Sequence, residues 1–425
     1  MQKTAVAGFG CAGYHAVRSM REHGYQGEID VYTNTQWAPA NPMLTTYYIC
    51  GKLQREATLP FGAIKELSQK YNFHIITTSV QKVLSEEKAV LLQDGKTKYY
   101  DQILISTGAR AFVPPIPGHE GERVFSMRTI EDADYVRKIL EGREIKRAVV
   151  VGASMVGIKL VELLYARGIH CTLVDMAPYI FPLAAVPCVA AEIERRLTGM
   201  GVELAFSKAL KAIEEDGQRV VFADGESISC DMVLMCIGTR ANTEIADENI
   251  TVNRGIVVDK RMRTNMQDIY CAGDCSEGCN LQTGDNQIIG IWDNAARQGE
   301  TAGANMAGVV KEYEGNMLHN ITHFMGMDFI GFGDVKSEGE EFLYENKEKG
   351  ETFVIRVKGN KPVCMNFLDS YGASGVLKAY MINKFGGAGR QMDSVSKVRL
   401  LNEGIPEKLI NFLESNSEEE DEWEK

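Results

Sequence analysis

This sequence predicts an α/β fold in which two strand–turn–helix units built on parallel sheets are followed by a smaller α+β domain. Three observations carry the prediction. Residues 4–13 read TAVAGFGCAG, where small and β-branched residues run into Gly8-x-Gly10-x-x-Gly13, and Gly13, Ala16, Val17 and Met20 then fall on one helical face. Residues 147–157 read RAVVVGASMVG, an offset of 144 from Gly8 to Gly152, and Gly157, Leu160, Val161 and Leu164 repeat the helix face. From about 321 to 413 the pattern changes to strand-like runs at 341–344, 352–357 and 362–367, followed by a helix near 375–382.

A buried strand, a tight turn and a helix opening form the local structure that binds a dinucleotide. Gly8 permits the turn, Gly10 lets backbone approach a pyrophosphate, and Gly13 lets the helix pack closely on the strand. The first-turn amides, beginning at Cys11 and Ala12, and the positive end of the helix dipole hold the phosphates. One such motif is weak evidence, but here it occurs twice. The repeat continues at an offset of 130, where Asp94-Gly95, Asp101, Gly108 and Arg110 match Asp224-Gly225, Asp231, Gly238 and Arg240. Two Rossmann-type dinucleotide-binding units therefore share the chain, and Gly152, Ser154, Met155, Val156 and Gly157 make the second turn.

Composition narrows the partners. The chain has 425 residues, enough for two or three domains with real cores, and a net charge of −12, which argues against nucleic acid. No stretch approaches the ~20 apolar residues of a membrane span. The opening residues enter the first strand directly, which leaves no room for a signal peptide. A soluble, cytoplasmic protein with its ten cysteines reduced is expected. Seven acidic residues between Glu414 and Glu424 read as a disordered tail (413–425), with a docking element for a basic partner as the alternative.

In chain order, the second strand (29–33) ends at Asn34, where dinucleotide folds normally carry a carboxylate for the adenosine ribose. An amide there can still bond a hydroxyl. Residues 37–52 read as loop and short helix, 61–70 as helix, and 74–76 and 88–92 as strands. Asp94-Gly95 is a hairpin turn, and the buried strand 102–106 stops at Thr107-Gly108. The stiff segment VPPIPG (113–118) marks the first domain boundary and 128–141 reads as helix. The second unit starts at Lys146, and its second strand (171–174) ends at Asp175. A carboxylate there favours the free 2′-hydroxyl of NADH and repels the 2′-phosphate of NADPH. The unit closes at Gly238, and the chain returns through 256–259 to IYCAGD (269–274) and a helix over about 293–306.

The two glycine turns, Ser106-Thr107-Gly108, Cys236-Ile237-Gly238 and the segment from Thr264 to Ala272-Gly273-Asp274 together resemble the pyridine nucleotide-disulfide oxidoreductase superfamily of two-dinucleotide flavoproteins, over about residues 3–320. The resemblance implies two interleaved Rossmann-type domains. FAD takes 1–113 and 243–320, NAD takes 114–242, and 321–412 forms a C-terminal α+β interface domain. By this resemblance Gly8, Gly10, Cys11, Ala12, Gly13, Asn34, Thr107, Gly108, Arg110 and Gly273 bind FAD. Val80 meets the adenine through its backbone, and Asp274 bonds a ribityl hydroxyl. The helix holding Ala295 aims its positive end at the flavin C2 carbonyl. Gly152, Ser154, Met155, Val156, Gly157, Asp175 and Gly238 bind NAD, in preference to NADP.

No Cys-x4-Cys pair occurs, and Met43-Leu44-Thr45 stands where oxidases and coenzyme A-disulfide reductases carry a single cysteine. Asn41-Pro42-Met43-Leu44-Thr45 is similar to the Arg-Pro-Leu-Ser segment of rubredoxin, ferredoxin and nitrite reductase flavoproteins. The resemblance thus implies hydride transfer from NADH to FAD, then electron transfer to a redox partner such as rubredoxin, ferredoxin or an iron–sulfur component. The alternatives are an NADH oxidase or small-molecule reductase using Cys50, and a low-turnover flavoprotein subunit. The C-terminal domain is a candidate surface for a homodimer or for partner docking.

Three positions depart from that branch. Thr46 and Lys159 replace a Lys and a Glu that pair beside the flavin N5, and Lys159 is read as taking over the cationic role. Ser154 replaces the second glycine of its turn, which is expected to crowd the pyrophosphate. No metal site is read into Cys271, Cys275 and Cys279 or into His319 and His323. Tyr47, Tyr48 and Trp292 are read as core packing, with stacking near the flavin as the alternative.

Overall fold

The computed structural model describes residues 2–346, 348–387 and 391–415, so the acidic run from 416 onward lies outside them. The elements that position the site are β1 (Lys3–Ala7), α1 (Cys11–Glu22), β2 (Glu28–Thr33), β3 (His74–Thr77), β4 (Gln102–Ile105), β5 (Val124–Ser126) and α2 (Ile130–Gly142). They continue with β6 (Arg147–Val151), α3 (Met155–Ala166), β7 (His170–Val174), β8 (Glu203–Ala205), β9 (Met232–Met235), β10 (Ile269–Cys271) and α4 (Trp292–Met306). Five strands close the set: β11 (His319–Phe324), β12 (Met327–Gly333), β13 (Glu340–Asn346), β14 (Glu351–Lys358) and β15 (Lys361–Leu368).

The chain forms two compact units. One comprises Met1–Phe112, Ser126–Glu144 and Gly238–Asn316, and the other Val113–Phe125, Ile145–Ile237 and Met317–Lys425. Two segments group differently from the boundaries read in the sequence. Helix α2 groups with the first unit, where Asp134 accepts from Tyr48 (2.8 Å) and from the Arg55 guanidinium. The C-terminal segment groups with the second unit, to which the buried Asn366 ties it.

In the first unit a five-stranded sheet runs β10-β4-β1-β2-β3 with every pair parallel. A sheet covered on both faces needs continuous apolar strands; accordingly Ala5, Val6, Ile103, Leu104 and Ile105 are fully buried. Strand β1 pairs with β2 on one side and β4 on the other, so its carboxyl end is a topological switch point, where such sheets bind ligands. The second unit repeats this with the order β8-β7-β6-β9-β5, and β6 lies parallel between β7 and β9. Its C-terminal part adds an antiparallel sheet, β11-β12-β15-β14-β13, followed among the described residues by three helices, an α+β arrangement as expected. The strand reading of the sequence omits β11 and β12.

Helices α1 and α4 cross at very close range. A Cβ on Gly299 would stand 2.3 Å from the Ala12 carbonyl oxygen, and one on Gly303 2.3 Å from that of Ala16. Among the described residues no helix is long and apolar enough to cross a membrane.

Candidate dinucleotide and redox sites

In the first unit the three turn glycines do different work. Gly8 sits at φ +100, and a Cβ there would lie 2.4 Å from the Ser106 carbonyl oxygen. A Cβ on Gly13 would lie 2.4 Å from the Gly8 carbonyl oxygen, so strand and helix meet only without side chains. Gly10 has an ordinary φ of −82, and a Cβ on it would meet nothing within 4 Å. That open space lies at the N-cap of α1, which has no side-chain cap over its first-turn amides, so a diphosphate fits it.

A second uncapped helix start faces the same place. A Cβ on Gly273 would stand 3.0 Å from the Ala12 Cβ and 3.8 Å from the Ala295 Cβ, so the α1 start, the Ala-Gly-Asp turn and the α4 start converge. The N-cap of α4, Ile291, offers no side-chain cap. Asp274 Oδ2 accepts a 2.6 Å bond from Arg128, whose Nε also donates to the Ala109 carbonyl at 3.1 Å. Reading the sequence missed Arg128. The signal that could have found it is the capping box of α2: Thr129 Oγ1 accepts from the Asp132 amide, and Asp132 accepts from the amides of Thr129 and Arg128.

Thr107 and Arg110 are engaged where the two chain crossings pair antiparallel, Ala109–Ala111 against Thr239–Ala241. Thr107 Oγ1 donates to the Asn242 carbonyl (2.8 Å), and Asn242 Nδ2 donates back to the Thr107 carbonyl (2.9 Å). Arg110 reaches Asn242 Oδ1 (2.9 Å) and Glu244, two further residues that sequence reading missed. Gly108 is the left-handed residue before this crossing, at φ +65. Gly238 opens the return crossing, its carbonyl accepting from the Phe112 amide. Asn34 is exposed just beyond β2, and Val80 is half-buried at the head of the strand Val80–Leu84.

In the second unit Gly152 has φ +110, and a Cβ on Gly157 would lie 2.0 Å from the Gly152 carbonyl oxygen. The crowding expected of Ser154 is not what its hydroxyl does. It caps α3 by accepting from the Gly157 amide (3.2 Å) and donates to the Cys236 carbonyl (2.8 Å), so it is turned into the fold. Met155 is half-buried and Val156 exposed in the first turn of α3. Asp175 is held at the rim of this turn, accepting from the Ala153 amide (2.7 Å) and from the Ala177 amide (2.8 Å).

Lys159 is 13% exposed, ion-paired with Glu162, and donates to the His323 carbonyl at 2.7 Å. Its charge is balanced inside the second unit, at the turn between β11 and β12. His323 itself bonds Asp328 (2.8 Å), and His319 the Met317 carbonyl. Burial pushes the Cys11 thiol up to about 12, with Asp274 adding to the effect, so it stays protonated at neutral pH; it donates to the Trp292 carbonyl. Cys271 and Cys275 lie with their sulfurs 3.5 Å apart, fully buried, and burial raises the Cys271 thiol well above its usual range. Cys50 is half-buried at the C-cap of the short helix Thr45–Ile49, in which Thr46 is buried. Among the described residues no three His, Cys, Asp or Glu side chains gather as a metal site. Trp292 stacks on Phe61, which stacks on Tyr14 at 4.0 Å between ring centres, and Tyr48 is buried against Asp134.

Comparison with known proteins agrees with this geometry. An NADH oxidase of Methanocaldococcus jannaschii is 30% identical over 319 residues, 73% of this chain and 71% of that protein. A rubredoxin-NAD(+) reductase of Pseudomonas putida is 26% identical over 383 residues, 88% of this chain and 97% of that one. The fold matches the solved covalent putidaredoxin reductase–putidaredoxin complex with a TM-score of 0.83 at 20% identity, covering 95% of this chain and 99% of that chain. Residues 2–299 match the family described as pyridine nucleotide-disulphide oxidoreductase, and the chain belongs to that family.

Proposed function

We propose that the protein is a FAD-dependent NADH oxidoreductase that passes electrons from NADH, through the flavin, to a redox partner protein such as rubredoxin, ferredoxin or an iron–sulfur component. The observation that carries the reading is the pair of glycine turns with a carboxylate at the strand end of only the second, Asp175. FAD, when bound, supplies a centre that accepts two electrons as hydride and can release them singly.

The residues of the first unit bind and orient that group. The amides after Gly10 take the pyrophosphate, Arg128 and Asp274 hold the ribityl chain, and the start of α4 around Ala295 offers its positive end to the ring carbonyls. In the second unit Asp175 accepts from the adenosine ribose of NADH. The name of the Pseudomonas putida relative supports a protein acceptor, and that of the M. jannaschii relative favours direct oxidation of NADH by oxygen as the second reading. A cytoplasmic site of action fits ten free cysteines, and we propose the C-terminal domain as the face for a homodimer or a partner.

The test is the anaerobic visible spectrum of the purified protein before and after NADH and then NADPH. The expected result is a flavin spectrum bleached quickly by NADH and much more slowly by NADPH, with slow NADH consumption in air until an acceptor protein is added. Rapid consumption in air without a partner supports the oxidase reading instead, and its loss in Cys50→Ser assigns that thiol. Absence of flavin refutes both.

The proposed cationic role of Lys159 is tested in the same assay. Lys159→Met is expected to slow bleaching roughly tenfold at unchanged FAD content. An unchanged rate removes Lys159 from the reaction and assigns its ion pair with Glu162 a structural role.

A further inference from the structure

We propose that Asn366, in the C-terminal sheet, is a positioning residue for NADH: it pins the loop that follows Asp175 and thereby holds the ribose-binding carboxylate against the glycine turn. The proposal rests on the reading of the second unit as the NADH unit. The loop leaves β7 at Asp175 and comes back to the glycine turn, where the Phe181 amide donates to the Ala153 carbonyl at 3.0 Å. The amide of the same Ala153 donates to Asp175 Oδ2 at 2.7 Å. One residue of the glycine turn therefore joins the carboxylate to the middle of the loop.

Three groups of the C-terminal sheet set where that loop lies. Asn366 is fully buried in β15; its Oδ1 accepts from the Val186 amide (2.6 Å), and its Nδ2 donates to the carbonyls of Ala184 (2.9 Å) and Met365 (2.9 Å). The residues around it, Val363, Cys364, Met365, Phe367 and Leu368, are all buried and apolar or thiol-bearing. A lone amide there is stabilising only if its bonds are met, and the loop backbone meets them. Gly331 in β12 is the second group, since a Cβ on it would stand 2.8 Å from the Ala184 carbonyl oxygen. The third is an aromatic wedge. Phe181 adopts φ +53, a left-handed conformation unfavourable for a bulky residue, and its buried ring is held edge-on by Phe324 (5.6 Å) and tilted against Phe329 (5.1 Å). A strained residue persists only where its surroundings over-determine it, and here the surroundings are β11 and β12.

The test uses FAD-loaded protein carrying Asn366→Asp or Gly331→Ala. The first keeps an acceptor for the Val186 amide but sets a carboxylate oxygen against the Ala184 carbonyl. The second keeps the amide and pushes the same carbonyl from the other strand. In both, KM for NADH and the dissociation constant of NAD+ (by calorimetry on the oxidised protein) are expected to rise roughly tenfold. The FAD content, the flavin spectrum and kcat at saturating NADH are expected to stay unchanged. NADH affinity within about twofold of the parent in a folded variant overturns the proposal. So does loss of FAD together with NADH affinity in both variants, which marks general unfolding. If Asn366→Asp does not fold, Gly331→Ala decides alone. A parent protein that binds FAD but neither NADH nor NAD+ overturns the nucleotide reading itself, and this role with it.

Discussion

Gly299→Val is expected to cost about 3 kcal/mol of folding free energy and to leave the first unit without its flavin. The cost follows from what the new atoms meet. The Cβ position at Gly299 is 2.3 Å from a backbone oxygen, that of Ala12, and one helical turn later Gly303 stands equally close to Ala16. A flexible side chain could swing away from such a contact, but a helix backbone cannot, so α1 and α4 must separate. Both helices bring their N-termini to the proposed FAD site, where Ala12, Gly273 and Ala295 converge. Separation opens that convergence and moves the first-turn amides away from the pyrophosphate. The measurements are the flavin-to-protein absorbance ratio after purification and the thermal transition, expected to fall by roughly 5–10 °C. Full flavin loading with an unchanged transition would show that the crossing tolerates a side chain and refute the packing argument.

Asp175→Ser is expected to raise KM for NADH about ten- to a hundredfold and to narrow the preference over NADPH by more than that. The carboxylate is oriented by the amides of Ala153 and Ala177 at 2.7 and 2.8 Å, which leaves its remaining lone pairs for two ribose hydroxyls. Charge-assisted hydrogen bonds contribute about 1.5–3 kcal/mol, hence the range in KM. Removing the charge also removes its repulsion of a 2′-phosphate, so NADPH gains while NADH loses. The check is the steady-state KM for each nucleotide in the presence of an acceptor, or the rate of anaerobic flavin bleaching. A ratio of NADH to NADPH efficiency that does not change would remove Asp175 from the site.

Much of the site is legible in the sequence because its demands are local. Gly13 and Gly157 are glycine because a Cβ at each would strike the carbonyl oxygen of the glycine five residues earlier, 2.4 and 2.0 Å away, and Gly8 and Gly152 because the turn holds them at positive φ; both demands are written as spacing. The strand ends at Asn34 and Asp175 follow from counting along a parallel strand to its carboxyl end. The family follows from the order of these pieces. Less legible were β11 and β12, whose run HNITHFMGMDFIGFG mixes glycine and methionine into its apolar positions and shows no clean period of two.

Fold class, the two glycine turns and the acid at the strand end of the second are all written in the chain. The distant side chains that complete them come together only on folding. Arg128 meets Asp274 across 146 residues, and Asn366 meets Val186 across 180. Gly299 is small because of Ala12, almost the whole first unit away along the chain. Lys159 shows the same limit: nothing in the spacing of its helix marks its bond to the His323 carbonyl, 164 residues further along the chain. The difference is one of range. Backbone sterics and strand periodicity act over a few residues and leave a pattern in the chain. Ion pairs, buried amide bonds and helix crossings are satisfied by whatever the fold brings near, and the chain carries no spacing that marks them.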